Sequence, residues 1–159
     1  MRILVASWPS KWAERIKELI KVHFPHAEVV LVHSKNCQKP MTLYTKCIMR
    51  ETGEQKIYRE EIQYGSMTCS VMEKARDERK FDLFDLSTDF GFRPVAECIR
   101  AIRLWPKYRF TPTIIHSAGD PIELARAEKL GVTHVVSGYD ISPIVSILNS
   151  LERESEVRL

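Results

Sequence analysis

Five short apolar runs recur along the chain, at residues 2–6, 27–33, 81–86, 111–117 and 132–136, and helical periodicity fills most of the intervals between them. No other feature narrows the fold as much. Runs such as Ile3-Leu4-Val5-Ala6 and Val29-Val30-Leu31-Val32 are continuous rather than alternating, the signature of strands covered on both faces. Strands that alternate with helices pair in parallel. The predicted class is therefore α/β, a doubly wound five-stranded parallel sheet.

The intervening segments support this reading. After Ser10, which is placed to cap a helix, Trp12, Ile16, Leu19 and Ile20 recur at three- and four-residue spacing, and Pro25 closes the segment. Further helices are predicted at about 66–79, 94–104 and 121–130, the last with Asp120 as its cap and Gly131 just beyond its end. A final helix over 142–152 has Ile144, Ile147, Leu148 and Leu151 on one face, and 153–159 reads as a frayed tail. One segment breaks the alternation. Residues 42–49 and 56–62 flank the polar turn Glu51-Thr52-Gly53-Glu54, so 34–63 reads as a β-hairpin inserted after the second strand. Its Tyr44 and Tyr58 lie among mixed charges, on a strand pair that either extends the sheet or offers an edge to a partner. With 159 residues and no linker-like stretch, 1–152 is read as a single domain.

Composition excludes several functions. The net charge is only +3, and acids interrupt the bases, as in Glu14-Arg15-Ile16-Lys17-Glu18, so no nucleic-acid-binding stripe is expected. The apolar run at 3–6 is too short for a signal-peptide core or a membrane span, and a cytoplasmic location is expected. Cys37, Cys47, Cys69 and Cys98 form no C-x-x-C pair and have no histidine at zinc-finger spacing. They read as reduced structural thiols, and neither a metal nor a cofactor is expected.

From residue 81 onward, "FDLFDLS", "TPTIIHSA" and "ARAEKLGVTHVVSGYD", followed by a closing amphipathic helix, resemble the receiver domain of bacterial response regulators, a flavodoxin-like fold. "RILVASWPSKWAERIKELI" is similar to that family's first strand and helix, so the likeness spans about residues 1–34 and 66–152. In receivers an acidic pair after the first strand and an aspartate ending the third hold Mg²⁺, which neutralises the phosphoryl group that the aspartate accepts. A hydroxyl after the fourth strand and a lysine after the fifth hold the phosphoryl oxygens. Transferred residue by residue, the resemblance puts Ser7 and Trp8 at the acidic pair, Ser87 at the acceptor, Gly138 at the lysine and Val135 at the aromatic switch position. Only Ser117, at the hydroxyl position, fits. In a register shifted by two residues, Asp85 followed by Leu86 imitates the acceptor, so both registers stay open.

The resemblance thus implies a pseudo-receiver, a non-catalytic signalling or interaction module that binds another protein or itself. A homodimer through the last helices is one such arrangement. Trp8 and Trp12 read as core or lid packing, with Trp8 also able to fill the emptied pocket. The alternative is a small-molecule or phosphate-binding enzyme. It would use His33, His116, Asp89, Ser137 and Asp140 together with Ser87 and Ser117 at the carboxyl ends of the strands. No G-x-S-x-G, H-E-x-x-H, Walker or G-x-G-x-x-G motif accompanies them.

Overall fold

A computed structural model describes residues 1–6, 10–32, 41–48, 51–62, 66–76, 79–87, 92–117, 125, 128–137 and 140–157. Five strands, β1 (Arg2–Ala6), β2 (Glu28–Val32), β5 (Leu83–Ser87), β6 (Thr113–Ser117) and β7 (His134–Ser137), form one parallel sheet in the order β2-β1-β5-β6-β7. Strands β3 (Met41–Ile48) and β4 (Gln55–Ile62) pair antiparallel across a turn in which Gly53 takes φ +66°. That left-handed conformation suits glycine, which carries no Cβ to clash. The doubly wound five-stranded parallel sheet is as the sequence predicts.

Four helices are described: α1 (Ser10–His23), α2 (Ser66–Ala75), α3 (Phe92–Leu104) and α4 (Ser142–Val157). The period-two alternation of the strands sorts their side chains between two layers. Leu4, Phe84, Leu86 and Ile115 pack against Val71, Met72, Ile99 and Ile102 of α2 and α3. Ile3, Val5, Leu83 and Ile114 pack against Trp12, Ile16 and Ile20 of α1 and Ile144 and Leu148 of α4. Burying each such side chain is worth about 1.5–3 kcal/mol, so the two layers are the main source of stability.

Two local outcomes differ from the sequence reading, and a third matches it where it is described. The second strand, expected to be buried, is only half-covered over Glu28–Leu31 because it is an edge of the sheet. The last helix continues past Glu152 to Val157, since 152–157 holds good helix formers and neither glycine nor proline to stop it. Of the helix expected over 121–130, most lies outside the described residues, but Gly131 has φ +70° and its N–H bonds the Glu128 carbonyl, as befits a residue closing a helix.

The loop between α3 and β6 is fixed from inside. Tyr108, in a 3-10 turn at Pro106–Tyr108, is fully buried, meets Phe84 edge-on at 5.0 Å and donates its hydroxyl to the Ala75 carbonyl at 3.1 Å. Arg103 donates to the carbonyls of Tyr108 (2.8 Å) and Thr111 (2.7 Å) and to Thr113 Oγ1 (3.0 Å). One planar guanidinium thereby ties α3, the turn and β6 together. Arg103→Met should destabilise the protein by about 2 kcal/mol, because buried carbonyls lose a charged donor. Arg103→Lys should recover only part of that loss, since a single ammonium cannot span three acceptors; urea denaturation of the three proteins checks both.

Candidate functional site

On β5 the residues that share a face with Leu83 are Asp85 and Ser87, and on β6 the residue that shares a face with Ile114 is His116. All three turn toward α1 and α4. The register pairs Asp85 with Ile114 and Ser87 with His116, which leaves Asp85 and His116 as diagonal neighbours. The His116 Nε2 lies 3.0 Å from Asp85 Oδ1, and the two side chains are only 4% and 1% exposed. Ser87, at the end of its strand, is 3% exposed. Trp12 of α1 meets the His116 ring edge-on, with centroids 6.1 Å apart. The indole thus stands against the imidazole on the helix-covered face.

The Asp85–His116 contact is a close approach, not a well-aligned hydrogen bond, because the ring N–H does not meet hydrogen-bond geometry to the carboxylate. The second carboxylate oxygen, Oδ2, is buried with no hydrogen-bond partner. An unsatisfied buried acceptor costs about 1–3 kcal/mol, and more when charged, so the carboxylate depends on the imidazole beside it. Removing either member strands the other in a low-dielectric setting.

Asp140, just ahead of α4, accepts the Ser142 N–H at 2.9 Å through Oδ1 and so caps the helix. Bonds from the Ser142 side chain and backbone, with a smaller attraction from His116, hold the Asp140 carboxyl below its ordinary range. A carboxyl depressed by folding adds stability above its unfolded pKa, and this contribution fades as the pH drops through the folded value.

Of the residues singled out from the sequence, the structure brings Asp85, Ser87 and His116 together and sets Asp140 within electrostatic reach of His116. Ser117 and Ser137 are register partners at the ends of β6 and β7, described in their backbone alone. Ser7, Trp8, His33, Asp89 and Gly138 lie outside the described residues. Sequence reasoning missed the pairing of Asp85 with His116 and the role of Trp12 as its wall. The spacing of the α1 apolar face signalled only that Trp12 is buried. Cys98 is buried and free, and burial pushes its thiol up to about 12, against a hydrogen bond with Thr68 that lowers it; such a thiol is unreactive. Among the described residues, no three His, Cys, Asp or Glu side chains are grouped to hold a metal ion, and no helix is long and apolar enough to cross a membrane.

The dependence of Asp85 on His116 is measurable by a double-mutant cycle. His116→Leu or Asp85→Leu alone should cost about 3–5 kcal/mol, whereas the double variant should recover most of it because no charge is left buried. Urea melts of the four proteins give the coupling directly.

No protein-family model and no curated protein matches the sequence. The fold does have solved counterparts. The signal receiver domain of a DNA-binding response regulator from Colwellia psychrerythraea 34H superposes with TM-score 0.64 at 10% identity, over 96% of this chain and 98% of that one. A response regulator receiver domain protein from Clostridium thermocellum gives TM-score 0.64 at 13% identity, over 99% and 98%. A chemotaxis response regulator of Vibrio cholerae gives 0.59 at 14% identity, over 96% of each. With the strand order β2-β1-β5-β6-β7 and the shared coverage, the fold of this chain is receiver-like.

Proposed function

We propose that this chain is a signalling or protein-interaction module of receiver-like fold that does not carry Mg²⁺-dependent phosphotransfer. The observation that supports this most is the state of Asp85. Its carboxylate is 1% exposed, with one oxygen 3.0 Å from the His116 imidazole and the other sealed from solvent. A phosphoacceptor must reach solvent, whereas Asp85 is the middle residue of β5. The residue at the carboxyl end of that strand is Ser87, whose hydroxyl brings no charge to a metal.

The donor set also fits Mg²⁺ poorly. That ion takes hard oxygen ligands in near-octahedral geometry and keeps several of its waters, which needs an open acidic site. Among the described residues the carboxyl end of the sheet offers two carboxylates, and both are engaged: Asp85 lies against His116, and Asp140 caps the start of α4. The sequence adds Ser7 and Trp8 where the resemblance calls for acids, and Gly138 where it calls for lysine. Within this reading, Ser87 takes the acceptor position and Asp85 takes a structural one.

The rival reading, acid–base chemistry at the strand ends, gains a His–Asp pair, but one closed to substrate: His116 is 4% exposed, with Trp12 against its ring. The module therefore acts through its surface on another protein or on a second copy. Self-association through the last helices is one form of this.

Incubation with Mg²⁺ and acetyl phosphate, followed by intact-mass measurement, is the test. The wild type should gain no phosphoryl group, just as Asp85→Asn should not. A stoichiometric, hydroxylamine-sensitive adduct on wild type that Asp85→Asn abolishes would overturn the reading.

A further inference from the structure

At the end of the sheet opposite the Asp85–His116 pair, where the chain enters β5 and β6, the surface opens into a cleft of about 880 Å³. Lys80 and Asp82 lie on one side, Phe110 to Pro112 on another, and the C-terminal half of α4 on a third. Three observations bear on what it holds.

The first is apolar surface. Phe110 is 88% exposed, and half-buried Leu151, Pro112 and Met1 also line the cleft. An exposed phenylalanine beside other apolar groups is the usual make-up of an interface anchor site.

The second is charge. Asp82, Glu152 and Glu154 line the cleft against the ammonium of Lys80 and the α-amino group of Met1. Helix termini sharpen the asymmetry: α4 has no basic residue in its last turn, although its unsatisfied carbonyls favour cations there. Among the described residues, neither Glu152 nor Glu154 takes part in an ion pair. Local electrostatics alone would put lysine or arginine at these positions, and a bound cation would relieve both the carboxylates and the helix end.

The third is an unsatisfied group. Thr111 lines the cleft, is 3% exposed, and its hydroxyl has no hydrogen-bond partner. Such a group is costly when left alone, and a small shift of the cleft wall on binding would open it to a carbonyl or N–H of the occupant.

We propose that this cleft receives a short segment of a partner protein in which a large apolar residue is flanked by lysine or arginine. The apolar residue would pack on Phe110 and Leu151, its cationic neighbours would face Asp82, Glu152 and Glu154, and its backbone would meet Thr111 Oγ1. A small cation alone would leave the apolar wall bare. A second copy suits the cleft less well, because Phe110, the large exposed aromatic this chain would have to insert, is already one of its walls. The proposal deepens the module reading by naming its surface, and it rests on that reading.

A phage-displayed library of random linear peptides, selected on the full chain, supplies the probe, and fluorescence anisotropy of the best selected peptide supplies the affinity. Selected sequences should combine a large apolar residue with Lys or Arg. Phe110→Ser, and separately the pair Glu152→Lys and Glu154→Lys, should each weaken binding by about tenfold or more, the scale of losing an interface anchor. The charge reversals suit the helix end, so thermal melts should stay unchanged. Thr111→Val should weaken binding by a few-fold, and Asp85→Asn should not affect it. Failure to enrich peptides, enrichment of acidic ones, or affinities that ignore both sets of variants would overturn the proposal. So would a dimer that Phe110→Ser dissolves, which would give the cleft to a second copy. None of these outcomes bears on phosphotransfer, so the module reading stands or falls separately.

Discussion

The middle strand of a parallel sheet covered on both faces has no route to water, and this constraint governs what β5 can carry. All five of its residues are buried. Four of them are apolar or a small hydroxyl, but Asp85 brings a carboxylate that burial would expel unless a cation or a donor met it. His116 does so from the adjacent strand, two positions on from the register partner of Asp85. The pair needs the β5–β6 register, the helix that lays Trp12 against the imidazole, and the ordered start of α4 at Asp140, whose charge His116 also feels. A change in any one of these is felt at the others.

The pair also divides the two ends of the sheet into different roles. Open α/β sheets usually place their ligands beyond the carboxyl ends of the strands. Here the carboxylate and imidazole found on that side of β5 and β6 are turned under α1, spent on each other. At the amino ends the balance is reversed. Phe110 is exposed, Thr111 keeps an unsatisfied hydroxyl, and acids collect where α4 would prefer bases. Native chains rarely retain such local conflicts without a use for them. The fold is thus closed internally at the carboxyl ends of β5 and β6 and is least settled at their amino ends, where we propose that a partner docks.

Much of the framework was legible because it depends on local pattern. The first strand, the α1 face of Trp12, Ile16 and Ile20, the hairpin turn at Gly53 and the helix-closing Gly131 each follow from residues a few positions apart. The half-exposure of β2 was not legible, since being an edge depends on strand order and not on the strand's own residues. The site was harder still. Three aspartates, Asp82, Asp85 and Asp89, stand close together in sequence, and spacing alone does not separate their roles. Once strands are paired, Asp82 accepts the Arg2 N–H at 2.7 Å, whereas Asp85 turns inward to a histidine 31 positions away (116 − 85). The cleft draws on four separate stretches of chain, which no linear motif could have announced.

Whether Asp85 is closed to metal and phosphoryl groups is most directly visible in the backbone amides around it. Titration of ¹⁵N-labelled protein with Mg²⁺ and then beryllium fluoride, a phosphoryl mimic, should leave the amide signals of residues 85–87 and 116–117 without saturable shifts. Saturable shifts confined to those residues, lost in Asp85→Asn, would show an open acidic pocket and contradict the sequestered pair.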